Sequence, residues 1–289
     1  MLHDDQSQNP TPASVVGVGV RGPHFQAFAE GSPDVDWVEV HAETFFCDGG
    51  PRLHILERIR AHYPLSLHGV GMSLGSDQLP DPDHLKRLKD LAERFSPFMI
   101  SEHLAWARHK DQWLNDLLPV PLTSSALDRF VANTDHVQQV LGRQILIENP
   151  STYLRFCDDM MFEWEFLAEL TRRAGCGLLL DLNNIAVNAA NHGFDPLGWL
   201  DGLEKKMIGE YHLAGHRIDH IDGVDVHIDD HASAVDDQVW SLFNNAIQRF
   251  GVRPAMIEWD LQIPPLETLM VEVEKLRTCL HHHHHDQAA

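Results

Sequence analysis

Side chains able to hold a metal recur in this chain at the ends of apolar runs. In Gly175-Cys-Gly-Leu-Leu-Leu-Asp-Leu-Asn183 the string after Cys176 is apolar without alternation and stops at Asp181 and Asn183, both oxygen donors. Such strings mark strands buried on both faces, as in parallel sheets covered by helices. Positions i and i+2 of a strand point to one side, so Asp181 and Asn183 are expected to leave the strand end together. The same pattern closes Leu65-Ser-Leu-His68, Met99-Ile-Ser-Glu-His103, Ile145-Leu-Ile-Glu148-Asn149, Glu210-Tyr-His212 and Met256-Ile-Glu258-Trp-Asp260. The segment Asp229-Asp-His231 adds a further pair, facing one way if locally extended.

Each of these residues alone has a plain explanation. A single His can be a hydrogen-bonded rim residue, a strand-end carboxylate can cap the next helix, and Asp229 and Asp230 can belong to a solvated acidic loop. As a set they demand more. Two carboxylates about 4 Å apart repel by roughly 4 kcal/mol at an effective dielectric of about 20, so several in one pocket need protons or cations between them. Imidazoles mixed with carboxylates suit zinc, iron or manganese, whereas calcium and magnesium favour oxygen alone. The number of donors exceeds what one ion binds, so a di- or trinuclear centre is expected, with metals about 3.5–4 Å apart. Glu148, central in strand order, is the expected bridge, and Glu148, Asp181 and His212 are the residues expected to carry catalysis. No Cys joins the set, which argues against an iron–sulfur cluster.

The elements that must position these groups follow a regular rhythm. Strands are expected at Val15 to Val20, Asp36 to Glu43, Leu65 to Val70, Phe98 to Trp106, Gln144 to Asn149, Gly177 to Asn183, Met207 to Leu213 and Pro254 to Asp260. Amphipathic helices fall between them, including Arg52 to Tyr63, Pro82 to Arg94, Ser124 to Leu141, Phe162 to Ala174, Pro196 to Lys206, Asp236 to Phe250 and Pro265 to Leu276. A short strand at Val224 to Asp229 lies in the long loop before the helix Asp236 to Phe250. The fold class is α/β, and the count and size predict a single-domain (β/α)8 TIM barrel. A doubly wound open sheet is the competitor. It concentrates its ligands at one switch point, and GVGVRG after the first strand lacks dinucleotide-fingerprint spacing. The expected boundaries are a flexible N-terminus over 1–14, the barrel over 15–278, and a His-rich tail over 279–289, disordered by composition at His281 to His285.

Composition narrows the partners. With 22 Lys and Arg against 43 Asp and Glu, the formal charge is −21 over 289 residues, a poor surface for phosphate backbones. Nucleic acid is therefore not an expected partner. No apolar run is long enough to span a bilayer, and the polar N-terminus lacks the features of a signal peptide. Cys47, Cys157, Cys176 and Cys279 form no disulfide framework, so a reducing cytoplasm is expected.

The ordered series HGVGMSLGS, SEHLAW, ILIENPS, LLLDLNN, YHLAGH, the DDH segment running into VDDQVW, and MIEWD before Pro264-Pro265 resembles the multinuclear non-haem iron-dependent oxidase family, whose best known member acts in methanobactin biosynthesis. The resemblance spans about residues 15 to 276. It implies a TIM barrel with two or three irons in mixed Fe(II)/Fe(III) states and dioxygen as co-substrate. It also implies a ribosomally synthesised, Cys-containing precursor peptide as substrate, modified at cysteine, and a separate partner protein that recognises its leader. Carried over motif by motif, the metal ligands would be His68, His103, Glu148, Asp181, Asn183, His212, His216, Asp229, His231 and Glu258. One departure is that the family's second strand often ends in Glu-Asn, where Glu43 is here followed by Thr44.

Two other classes share parts of this pattern. A divalent-metal barrel isomerase or endonuclease has similar ligands, but no strand-end Lys appears and the acidic charge opposes DNA binding. A non-catalytic metal-binding protein would account for the His run and the acidity, and predicts exchangeable metal with no peptide chemistry.

Overall fold

The computed structural model describes residues 15–110 and 112–286. The expected flexible segment 1–14 lies outside them. Eight strands, β1 (Val16–Gly19), β2 (Trp37–His41), β3 (Leu65–His68), β4 (Met99–His103), β5 (Leu146–Glu148), β6 (Gly177–Asp181), β7 (Ile208–Leu213) and β8 (Ala255–Ile257), close into a barrel. Neighbours are parallel throughout, and β1 pairs with both β2 and β8. The (β/α)8 architecture read from the strand rhythm is therefore the fold, with the strand cores shorter than the apolar runs that announce them.

The helices around it are α1 (Phe25–Ala29), α2 (Pro51–His62), α3 (Pro82–Phe95), α4 (Ser124–Leu141), α5 (Glu163–Ala174), α6 (Leu182–His192), α7 (Pro196–Asp201), α8 (Asp237–Phe250) and α9 (Leu266–Asp286). α3 shows why such segments fold locally. Asp81 accepts from the backbone N–H groups of Asp83 and His84, Pro82 occupies the first turn, and Leu85, Leu88, Leu91 and Phe95 bury one stripe. Gly17 marks a close approach: a Cβ there would lie 2.2 Å from the Trp37 ring, which fills the barrel floor.

Three expectations are corrected. β6 ends at Asp181 and α6 begins at once, so Asp181 and Asn183 are not an extended i, i+2 pair; Asp181 Oδ1 caps the helix by accepting from Asn184 N–H at 2.7 Å. The chain between β4 and α4, where no further strand was expected, forms an antiparallel hairpin of Trp106–His109 with Gln112–Leu118, while the short strand expected from Val224 is present as Val224–Ile228, paired with Arg217–Ile221. The segment His281 to Asp286 is helical, continuing α9, because a helix packed through Leu269, Val273, Leu276 and Leu280 adds further turns without a new nucleus.

Candidate metal centre

Parallel register sets the donors side by side at one end of the barrel. His41 is level with His68, His103 with Glu148, and Asp181 with His212. This is the C-terminal end of the strands, where barrel enzymes keep their chemistry. His68, His103, Glu148, Asp181, His212, His231 and Glu258 are all buried. Of the two candidates at the end of β4, His103 enters the barrel. Glu102 turns outward, where it accepts from the N–H groups of Met72 at 3.0 Å and His103 at 2.8 Å.

Among the described residues, five groups of three side chains bring ligand atoms within 4.8 Å of one another. They are His68, His103 and Glu148; Glu148, Asp181 and His212; Asp181, His231 and Glu258; Glu39, His212 and Glu258; and His41, Glu258 and Asp260. Glu148, Asp181, His212 and Glu258 each belong to more than one group. The donors thus form a chain of adjoining sites, not separate corners.

Within this chain His212 Nδ1 meets Glu258 Oε2 at 3.1 Å, but other donors approach without bonding. Glu148 Oε2 lies 3.3 Å from both His68 Nε2 and His103 Nε2, yet it has no hydrogen-bond partner. Asp181 Oδ2 and His212 Nε2 are likewise buried without one. Buried polar atoms are nearly always satisfied, so this convergence of orphans is the arrangement that bound cations would complete. The outward nitrogens are anchored: His103 Nδ1 faces the Gly69 carbonyl at 3.1 Å and His68 Nδ1 meets Ser101 Oγ at 2.7 Å. Anchoring of that kind fixes ring orientation and leaves Nε2 to the pocket.

Electrostatics says the same. Burial, reinforced by neighbouring imidazoles, drives the His68 pKa well below its usual value, and burial brings His103 down to about 4, so both are neutral and carry a lone pair. Burial and the nearby carboxylates push Glu148 well up; burial and Asp229 push Asp181 up to about 7. Burial opposes charge on His212 and His231 too, but Glu39 and Glu258 around the first and Asp229 around the second raise both rings well above the usual range. Without metal the pocket therefore collects protons. A donor set that recruits positive charge in this way fits cations.

Other predicted ligands sit at the flank. Asp229 Oδ1 accepts from Asn183 Nδ2 at 2.8 Å and lies 2.6 Å from His231 Nε2. Asp229 and His231 do converge, though His231 adopts φ 46° and is not extended; a non-glycine residue held in the left-handed region is strained, and such strain gathers at functional sites. His216 stands apart from the groups above, with Nδ1 at 2.8 Å from Asn183 Oδ1 and Nε2 at 2.9 Å from His227 Nδ1. Sequence reasoning missed Arg21, which donates to Glu258 at 2.7 Å and to Asp260 at 2.5 Å. It also left Glu39, His41 and Glu210 out of the ligand set. The signal for the first two was the alternation of β2, and for Glu210 its place two residues before His212. Arg21 had no signal beyond following β1.

The centre opens into a cavity of about 790 Å³ whose walls include Trp113 to Leu118 of the first hairpin, Thr152 to Leu154 and Leu261. Comparison with known proteins now bears on what enters it. The family model for RiPP precursor modification enzyme MbnB/TglH/ChrH matches residues 15–281. A UPF0276 protein of Chromobacterium violaceum is 46% identical over 270 residues, covering 93% of this chain and 96% of that one. A UPF0276 protein of Vibrio vulnificus is 43% identical over 265 residues, covering 92% and 91%. Among solved structures, endonuclease IV from Thermus thermophilus superposes with TM-score 0.60 at 16% identity, covering 92% of this chain and 98% of that one. The E. coli 3-keto-D-glucoside 4-epimerase YcjR gives 0.58 at 13%, covering 91% and 98%. At such identities these two show the shared barrel alone.

Proposed function

This chain belongs to the RiPP precursor modification enzyme family MbnB/TglH/ChrH, and from that premise we propose that it is a multinuclear iron-dependent oxidase that uses dioxygen to modify cysteine residues of a ribosomally synthesised precursor peptide. The observation that carries the reading is the run of adjoining His and carboxylate groups sharing Glu148, Asp181, His212 and Glu258. Iron, when bound, would supply an open position for a cysteine thiolate and the electrons that dioxygen chemistry needs.

The chain's own residues supply the rest. His68, His103 and Glu148 would hold one ion, with Glu148 shared with the Asp181 and His212 group; Asp181, His231 and Glu258 would hold another. Asn183, Asp229 and His216 border the His231 side, where they fix the loop that carries His231. Arg21 neutralises Glu258 and Asp260 and keeps both oriented. Glu39 and Glu210, both fully buried, lie 3.4 and 3.5 Å from His212 Nε2 beneath the centre. A separate leader-recognising protein would deliver the peptide to the open mouth, and its role is part of the proposal.

Anaerobic purification, iron counting and reaction with a synthetic Cys-containing peptide test the reading. Iron at two or more equivalents and oxygen-dependent mass loss or gain on the peptide are expected. A protein that turns over equally well without oxygen, or that takes up no iron, would sink it.

A further inference from the structure

Beside the metal pocket lies a second cavity of about 580 Å³ that the chemistry above does not use. Its walls are apolar and largely aromatic, with Phe156, Trp164, Phe194 and Trp199 among them. The two cavities share Pro119, Pro150, Thr152 and Leu154. The wall between them is close to the ligands in sequence, since Leu104 follows His103 and Pro150 stands two residues after Glu148. It is also rigid. Asn188 of α6 accepts from Thr152 N–H at 2.7 Å and donates to the Pro150 carbonyl at 2.9 Å, and His192 Nε2 reaches the Thr152 carbonyl at 2.9 Å.

Three of the acidic residues lining the cavity are engaged by backbone. Asp159 accepts from Leu122 and Phe156, Glu165 from Phe162, and Asp195 from Leu197 and Gly198. Glu163 differs: its Oε1 is shut off from solvent without a hydrogen-bond partner. Burial pushes its carboxyl up to about 8, so at neutral pH it is an uncharged O–H donor. At the rim, Leu154, Met160 and Phe162 are 52%, 73% and 65% exposed, an apolar patch of the kind that marks a binding surface.

We propose that this cavity is the docking site for large uncharged side chains, aromatic or aliphatic, of the same peptide whose reactive residue enters the metal pocket. The inference deepens the peptide-modifying reading and rests on it. The peptide crosses the Pro150–Thr152 wall, placing its apolar side chains among the aromatic residues.

The test uses the purified, metal-loaded protein and two probes, N-acetyl-Leu-Phe-Leu-amide and N-acetyl-Ser-Ser-Ser-amide, followed by tryptophan fluorescence and calorimetry. The apolar probe is expected to bind and the serine probe not. Phe162→Asp and Leu154→Asp, both at exposed positions that tolerate substitution, are expected to weaken the apolar probe about tenfold, the scale of one apolar side chain, with unchanged iron content and circular dichroism. Equal affinity for both probes, no binding, or no effect of either substitution overturns the inference. So does a dimer that either substitution disperses, because the patch would then be a self-contact. Iron content measured on the same samples separates the two readings: probe binding without iron removes the oxidase and keeps the cavity, and iron without probe binding does the reverse.

Discussion

His68 and His103 aim their Nε2 atoms at the same oxygen of Glu148, each at 3.3 Å, and that oxygen bonds to neither. Two neutral imidazoles and one carboxylate oxygen meeting around a common point are three ligands seeking a fourth partner. The other oxygen, Oε1, is held only by a long 3.4 Å contact from Asn184 Nδ2. Because Glu148 also converges with Asp181 and His212, its removal should be felt at two positions. Glu148→Ala is expected to lose more than one equivalent of metal, counted by mass spectrometry of the intact protein under native conditions. Loss of a single ion would remove its bridging role.

Metal loading should depend on pH with a defined sign. Asp181 titrates at about 7 without metal, and the Glu148 carboxyl and the His212 and His231 rings all lie above their usual ranges. Below those values protons occupy the pocket and compete with cations; above them the donors are free. Metal affinity is expected to rise from pH 6 to pH 8 by more than the tenfold per unit of a single competing proton. A flat profile, read by competition with a chromophoric chelator, would contradict the proton-filled pocket.

Ser101 belongs to none of the candidate metal-holding groups, yet it holds His68 through the 2.7 Å contact at Nδ1. Ser101→Ala should leave the fold intact and lower metal affinity by about 10–100-fold, the usual effect of losing an outer partner. Retention of full affinity in the same chelator competition would mean that packing alone orients the ring.

Glu163 offers a stability test remote from the metals. Its folded carboxyl sits at about 8 because burial penalises charge, whereas an unfolded carboxyl titrates near its ordinary 4.5. Below that ordinary value both states are neutral and the group costs nothing. Between it and about 8 the unfolded chain ionises alone, so stability falls as pH rises, and above about 8 the loss is complete. Glu163→Gln cannot ionise and should gain several kcal/mol at pH 9, up to about 5 kcal/mol, with almost no gain at pH 4. Thermal melts at the two pH values decide it, and an equal gain at both would rule out the ionisation argument.

Gly17→Ala should destabilise the barrel strongly. The added carbon would lie 2.2 Å from Trp37, a fully buried ring with no room to withdraw, so either β1 or β2 must shift. Overpacking of this kind costs about 1–3 kcal/mol or more. A melting temperature within a degree of the parent's would show that the barrel floor yields.

What the chain declares by itself is periodic and local. Apolar runs ending in His or carboxylate announced the barrel strands and the end that bears the donors, because burial on both faces leaves only the strand tips for polar groups. His68, Glu148, Asp181, His212 and Glu258 were legible for that reason. Closure of the barrel decided the remainder. Glu210 stands beside His212 by its spacing along one strand, but Glu39 is far away in sequence, and only the ring of strands sets it against the same imidazole. Arg21 meets Glu258 and Asp260 because β1 closes on β8, a contact across almost the whole chain that no spacing encodes. The helix that starts immediately after Asp181 orients Asn183, whose Oδ1 lies 2.8 Å from His216 Nδ1. Local pattern determines which side chains reach the rim; the tertiary path of the backbone determines which of them share an atom.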